Sequence, residues 1–142
     1  MRIATSVFFL LFGEYKLANG EFAHHGFPEY LKEYIGTSAL RWYAPFLLVV
    51  QAHAVFFGYF VGVLESVIGL SLLLGLKVRA ASVLGVLYML NMIACTWWES
   101  GHSVPVWRYF GAELDHIPVL LLFLIFFAAD AGKTWGLDGR RG

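Results

Sequence analysis

The chain has 142 residues, of which 59% are hydrophobic and only 14% charged, and its formal net charge at neutral pH is zero. A soluble domain carries roughly 25% charged residues, and a chain this short has too much surface to hide the apolar excess in a larger core. Lipid is the solvent that accepts it. The balanced charge gives no footprint for nucleic acid, and the single cysteine, Cys95, excludes an intrachain disulfide and any cysteine-cluster metal or iron–sulfur centre.

In chain order, the apolar run from Ile3 to Gly13 behind Arg2 has the outline of a signal peptide, but Leu17-Ala18-Asn19 is a poor cleavage site. The segment reads as a retained first helix over residues 3–18 that ends in Glu14 and Lys16. In the long connection that follows, Phe27 to Gly36 reads as a short helix, with Pro28 near its start and Gly36 as its stop. Phe27, Tyr30, Leu31, Tyr34 and Ile35 form its apolar face, which suits a helix lying on the membrane interface. The apolar stretch Ala44 to Ala54 is either a re-entrant piece or an early start to the next span.

The second span covers residues 55–74 and contains one charge, Glu65. A tight turn, Gly75 to Arg79, leads into an uncharged third span over 80–98. A second long connection, Glu99 to Gly111, precedes a fourth span over 112–131, with Glu113 and Asp115 in its first turn, where carboxylates suit the helix dipole. Each crossing needs about 20 residues. Trp42, Trp97, Trp98 and Trp107 sit at segment ends, as an aromatic belt requires. The expected architecture is therefore all-α: a single domain forming an integral-membrane four-helix bundle with a short interfacial helix in the first loop. Arg2, Lys77, Arg79, Lys133, Arg140 and Arg141 then share one side, and the positive-inside rule makes that side, with both termini, cytoplasmic. The expected location is the cell (inner) membrane, with lipids and other membrane subunits or further copies of the chain as partners.

The opposite side collects His24, His25, His53, His102 and His116 with most of the acids. Both long loops lie there, which by itself accounts for the polarity. A sharper reading is a site at that rim, with His53, Glu113 and His116 as its best candidates. Glu113 and His116 are i,i+3 neighbours, and imidazole with carboxylate suits either a bound metal or proton transfer to a quinone headgroup. No ligand spacing is distinctive of a metal, and no metal site is assigned.

Glu65 is the most informative residue. It lies about 15 Å below the boundary at 1.5 Å per residue, where a carboxylate costs at least about 2.5–3.5 kcal/mol. It must face the bundle and hold a partner or a proton. Gly58, Gly62, Glu65 and Gly69 share one stripe, along which a neighbouring backbone or a flat ligand can approach. On the third span Tyr88 and Asn91 fall at nearly the depth of Glu65, and both can donate to a carboxylate. Glu65 and His116 are thus the candidate catalytic, proton-handling groups, and Tyr88, Asn91, Gly62, Gly69 and His53 the candidate cofactor contacts. Interhelical hydrogen bonding without catalysis accounts for Glu65 equally well.

The stretch "LESVIGLSLLLGLKVRAAS" resembles the E-x3-G-x-x-L-x-x-G-x-x-x-R-x-A signature of the DoxX/DoxD family. The start, "RIATSVFFLLFGEYKLANGEFA", is similar to that family's first helix, and "AADAGKTWGLD" resembles its closing motif. Lys16, Glu65, Gly69, Gly75, Arg79, Asp130, Gly132 and Asp138 occupy motif positions, without catalytic roles carried over. The resemblance implies a four-helix membrane bundle akin to the quinone-reactive membrane subunit of thiosulfate:quinone oxidoreductase. A quinone-linked redox subunit is accordingly the first functional expectation. A non-catalytic accessory subunit of a larger membrane complex is the second, and proton conduction through Glu65 the third. The sequence has no dinucleotide fingerprint or haem-attachment motif, so electrons must come from a substrate or a partner.

Overall fold

The computed structural model describes residues 1–18, 20–37, 40–97, 116–134 and 136–140, and within these the chain is all-helical. The helices are α1 (Arg2–Leu17), α2 (Phe27–Thr37), α3 (Ala44–Ala52), α4 (Ala54–Leu74), α5 (Val78–Thr96) and α6 (His116–Ala128). A π-helical turn, Phe22–Gly26, leads into α2, and a 3-10 turn, Leu137–Arg140, is the last described element. Among the described residues, α4 and α5 are long and apolar enough to cross a membrane, with mean hydropathies of 1.9 and 1.6.

Several boundaries differ from expectation. The apolar stretch before α4 is neither a re-entrant loop nor part of that helix. It forms the separate helix α3, with Pro45 in its first turn, and the chain breaks at His53, whose φ/ψ of −123°/34° is non-helical. Helix α2 runs one residue past Gly36, since glycine stops a helix only where the chain adopts the left-handed conformation. Its apolar face packs on the protein itself: Leu31 is buried with Leu47, Val50, Ala54 and Cys95, and Phe27, Tyr34 and Ile35 lean on that cluster. Helix α5 ends at Thr96, and α6 ends at Ala128 rather than 131. There Asp130 takes a positive φ of 46°, and Ala131 N–H bonds back to the Phe126 carbonyl, a helix-terminating pattern. The expectations for Trp98, His102, Trp107, Glu113 and Asp115, and for a fourth-helix start near Ala112, lie outside the described residues.

Two antiparallel pairs build the core. Helix α1 lies along α4, with Arg2 beside Gly75, Leu10 on Gly69 and Lys16 at Gly62. Helix α5 lies along α6, where the ring of Phe123 fills the space over Gly85. Between the pairs Phe9, Ile68, Leu72, Val78, Met89, Phe123 and Phe126 form one buried cluster. Phe9 meets Phe123 edge-on at 5.2 Å.

The chain's start, the α4–α5 turn and the tail meet at one end of the molecule. Gly75 adopts φ 64°, a left-handed helix cap that glycine enters without steric cost. The Asp138 carboxylate accepts from Lys77 N–H at 2.8 Å and from Val78 N–H at 3.0 Å. The tail thereby supplies the N-cap that α5 does not find in its own sequence. Asp138 N–H donates to the Gly75 carbonyl at 2.9 Å, and the Arg2 guanidinium donates to the Ala131 carbonyl at 3.0 Å. Losing a capping carboxylate costs about 0.5–2 kcal/mol. Asp138→Ala is accordingly expected to lower the melting temperature by several degrees and to expose the tail to proteolysis, whereas Asp138→Asn retains part of the cap. Unaltered protease resistance of Asp138→Ala would show that the tail is held by other contacts.

Candidate functional site

Helix α4 is apolar nearly all round, so its inward face is marked by small residues rather than by hydrophobicity. Gly58, Gly62, Glu65, Ile68, Gly69 and Leu72 are all buried. A side chain at Gly62 would meet Leu17 and Lys16, and one at Gly69 would meet Leu10, so both glycines serve helix α1. Both were expected as cofactor contacts, and neither is among the residues that line the cavity described below. Gly58 does the same for the π-helical turn, because a Cβ there would stand 2.7 Å from Ala23 Cα.

With its neighbours this small, the stripe holds Glu65 against α1 at only 4% exposure. Lys16 Nζ lies 2.5 Å from Glu65 Oε1, and the Tyr88 hydroxyl donates to the same oxygen at 2.7 Å. The ammonium also lies 5.3 Å from the Phe22 ring centroid and 6.0 Å from that of Phe12, within cation–π range. Taking an ion out of water costs several kcal/mol, which a partner offsets only with good geometry and additional hydrogen bonds. Here Tyr88 supplies the additional bond.

Tyr88 therefore meets Glu65 at the depth its spacing predicts, and Asn91 does not. Three residues turn a helix by about 300°, and the Asn91 amide oxygen instead accepts from the Tyr43 hydroxyl, which reaches it from the start of α3. Lys16 is the partner that sequence reasoning misses. As the last cation of α1 it counts as an outer-loop charge, but side chains on a helix lean toward its N-terminus. From a Cβ beside Gly62 the Lys16 stem runs back about one turn along α1, to the level of Glu65. The joint appearance of Lys16 and Glu65 at motif positions was the available signal.

The cluster stands at one end of a cavity of about 630 Å³ between α1, α5 and α6, a volume typical of small-molecule sites. Lys16, Glu65, Tyr88 and His116 are its polar end, and the remaining lining is almost wholly apolar, including Phe8, Phe9, Phe12, Met89, Met92, Val119 and Leu122. Along α1 the lining extends from Lys16 to Met1, about 22 Å at 1.5 Å per residue. Phe8 and Phe12 line the cavity and are also more than half exposed, so it opens on the side of the molecule. Glu65 Oε2 and His116 Nδ1 are both buried and without a hydrogen-bond partner among the described residues. Such orphans are uncommon in folded proteins and call for a ligand or water. His53 is exposed at the α3–α4 break and lies outside the cavity, so among the described histidines His116 is the one that lines it. Of the expected rim site of His53, Glu113 and His116, His53 and His116 do not share this cavity, and Glu113 lies outside the described residues.

A search of curated proteins and one of solved structures found no match. The DoxX family pattern matches residues 1–98, which carry Lys16, Glu65 and Tyr88 and end ahead of α6 and the tail. With that match over more than half of its length, and with two helices apolar enough to span a bilayer, the chain belongs to the DoxX family and falls among small membrane proteins.

Proposed function

We propose that the protein is a quinone-binding membrane subunit in which α1 and α6 cross the bilayer beside the two longer helices, α4 and α5. The single observation that carries this reading is the cavity: an apolar, laterally open cleft with one polar end. A quinone is an amphiphile of that outline, a flat ring with oxygen substituents on a long apolar tail. The two orphaned buried atoms, together with the ammonium hydrogens that Lys16 does not give to Glu65, fit a headgroup that both accepts and donates hydrogen bonds. When bound, a quinone supplies two-electron, two-proton redox chemistry. In this reading Glu65 and His116 would hold and pass protons at Oε2 and Nδ1, the two atoms left without partners among the described residues. Tyr88 and Lys16 fix the carboxylate, and Phe8, Phe12 and Met92 exclude water from the apolar stretch. The electrons come from a partner subunit or a reduced substrate, so association with other membrane proteins is part of the proposal. The gathering of Arg2, Lys77, Arg79 and Lys133 at the end held by the tail supports a cytoplasmic position for that end in a cell membrane.

Protein purified from membranes in mild detergent is expected to carry quinone, measured by mass spectrometry of the extracted lipids. Ala4→Trp, which fills the apolar part of the cleft without touching Lys16 or Glu65, is expected to lose it. Wild-type protein free of quinone, or an Ala4→Trp variant that retains as much, sinks the reading.

A further inference from the structure

We infer that the cleft binds the reduced, hydroxyl-bearing form of its quinone ligand in preference to the oxidised form, an inference that rests on the quinone reading above. The reason lies in how Glu65 is already used. Lys16 and Tyr88 both donate to Oε1. Oε2 shares the carboxylate's charge and is buried with no partner among the described residues, in a side chain that is 4% exposed and belongs to the cavity's lining. An ionised carboxylate oxygen only accepts hydrogen bonds, so what Oε2 lacks is a donor.

The two redox forms differ in this respect. A quinone offers two carbonyl oxygens, which are acceptors, and docking one at Oε2 sets lone pairs against lone pairs. A quinol offers O–H groups, and an O–H donated to Oε2 is a charge-assisted bond, about twice as strong as a neutral one. The same hydroxyl oxygen keeps lone pairs that can accept from His116 when Nδ1 carries the ring proton. A quinol can thus supply the donor that Oε2 lacks, whereas a quinone, which has only acceptors, cannot.

The test uses full-length protein in detergent, washed free of lipid, and a decyl-substituted benzoquinone titrated calorimetrically, once oxidised and once reduced under anaerobic conditions. The reduced form is expected to bind at least about tenfold more tightly, as one charge-assisted hydrogen bond implies. Glu65→Gln, which places an amide donor where the orphan acceptor stood, is expected to abolish or reverse the preference. His116→Leu, which leaves Glu65 in place, is expected to keep its sign. Equal affinities, or tighter binding of the oxidised form by the wild type, overturn the inference while leaving the quinone site standing. Binding of neither form overturns both, and the wild-type measurement decides even if the Glu65 variant does not fold.

Discussion

Replacing Lys16 with methionine is expected to destabilise the protein by about 3–5 kcal/mol, the usual consequence of stranding a buried charge. Glu65 is 4% exposed and its remaining hydrogen bond, from Tyr88, is neutral, so the carboxylate must take up a proton or distort the α1–α4 contact. The reverse change, Glu65→Leu, is expected to cost less. The Lys16 side chain is 14% exposed and sits in the last turn of α1, so its stem can swing outward and carry the ammonium to water. The double variant, Lys16→Met with Glu65→Leu, removes both charges and is expected to approach wild-type stability or exceed it. Thermal unfolding in detergent, followed by circular dichroism, separates these outcomes, with a fall in melting temperature on the order of 10 °C for the first single variant. A double variant as unstable as Lys16→Met alone would show that Lys16 acts through packing on Phe12 and Phe22, not through its charge.

Gly85→Ala is the second large effect. A Cβ at that position would enter the ring of Phe123, which is wholly buried. The ring cannot step aside, because Phe9 and Phe126 both meet it nearly edge-on, at 5.2 and 6.4 Å. Overpacking of this kind costs about 1–3 kcal/mol. Phe123→Leu opens the space and carries its own loss of dispersion contacts, which in lipid is a main source of helix–helix attraction. The two changes together are expected to cost less than their sum, because each relieves the other. Strict additivity in thermal unfolding would mean that α5 and α6 separate rather than repack.

Much of this was legible in the residues themselves. Composition pointed to lipid, and the apolar runs around Glu65 and Tyr88 located α4 and α5 to within a residue or two at most boundaries, because a span needs a fixed length of apolar chain. The glycine stripe gave the inward face of α4, since a helix that is apolar all round distinguishes its faces only by side-chain size. Depth alone paired Glu65 with Tyr88. What depth could not supply was rotation about the helix axis, and this sent Asn91 to Tyr43. Nor could it show which way a long side chain leans, which turned Lys16 from a loop charge into the counter-ion of Glu65. The cap of α5 was equally hidden, because its carboxylate, Asp138, arrives from about sixty residues away. The sequence by itself thus determined the membrane character, the helices α4 and α5 and the burial of Glu65, which follow from local pattern and transfer energy. Only the tertiary structure decided that acid's partners, the cleft beside it and His116's place there, because these depend on helix rotation and on contacts between distant parts of the chain.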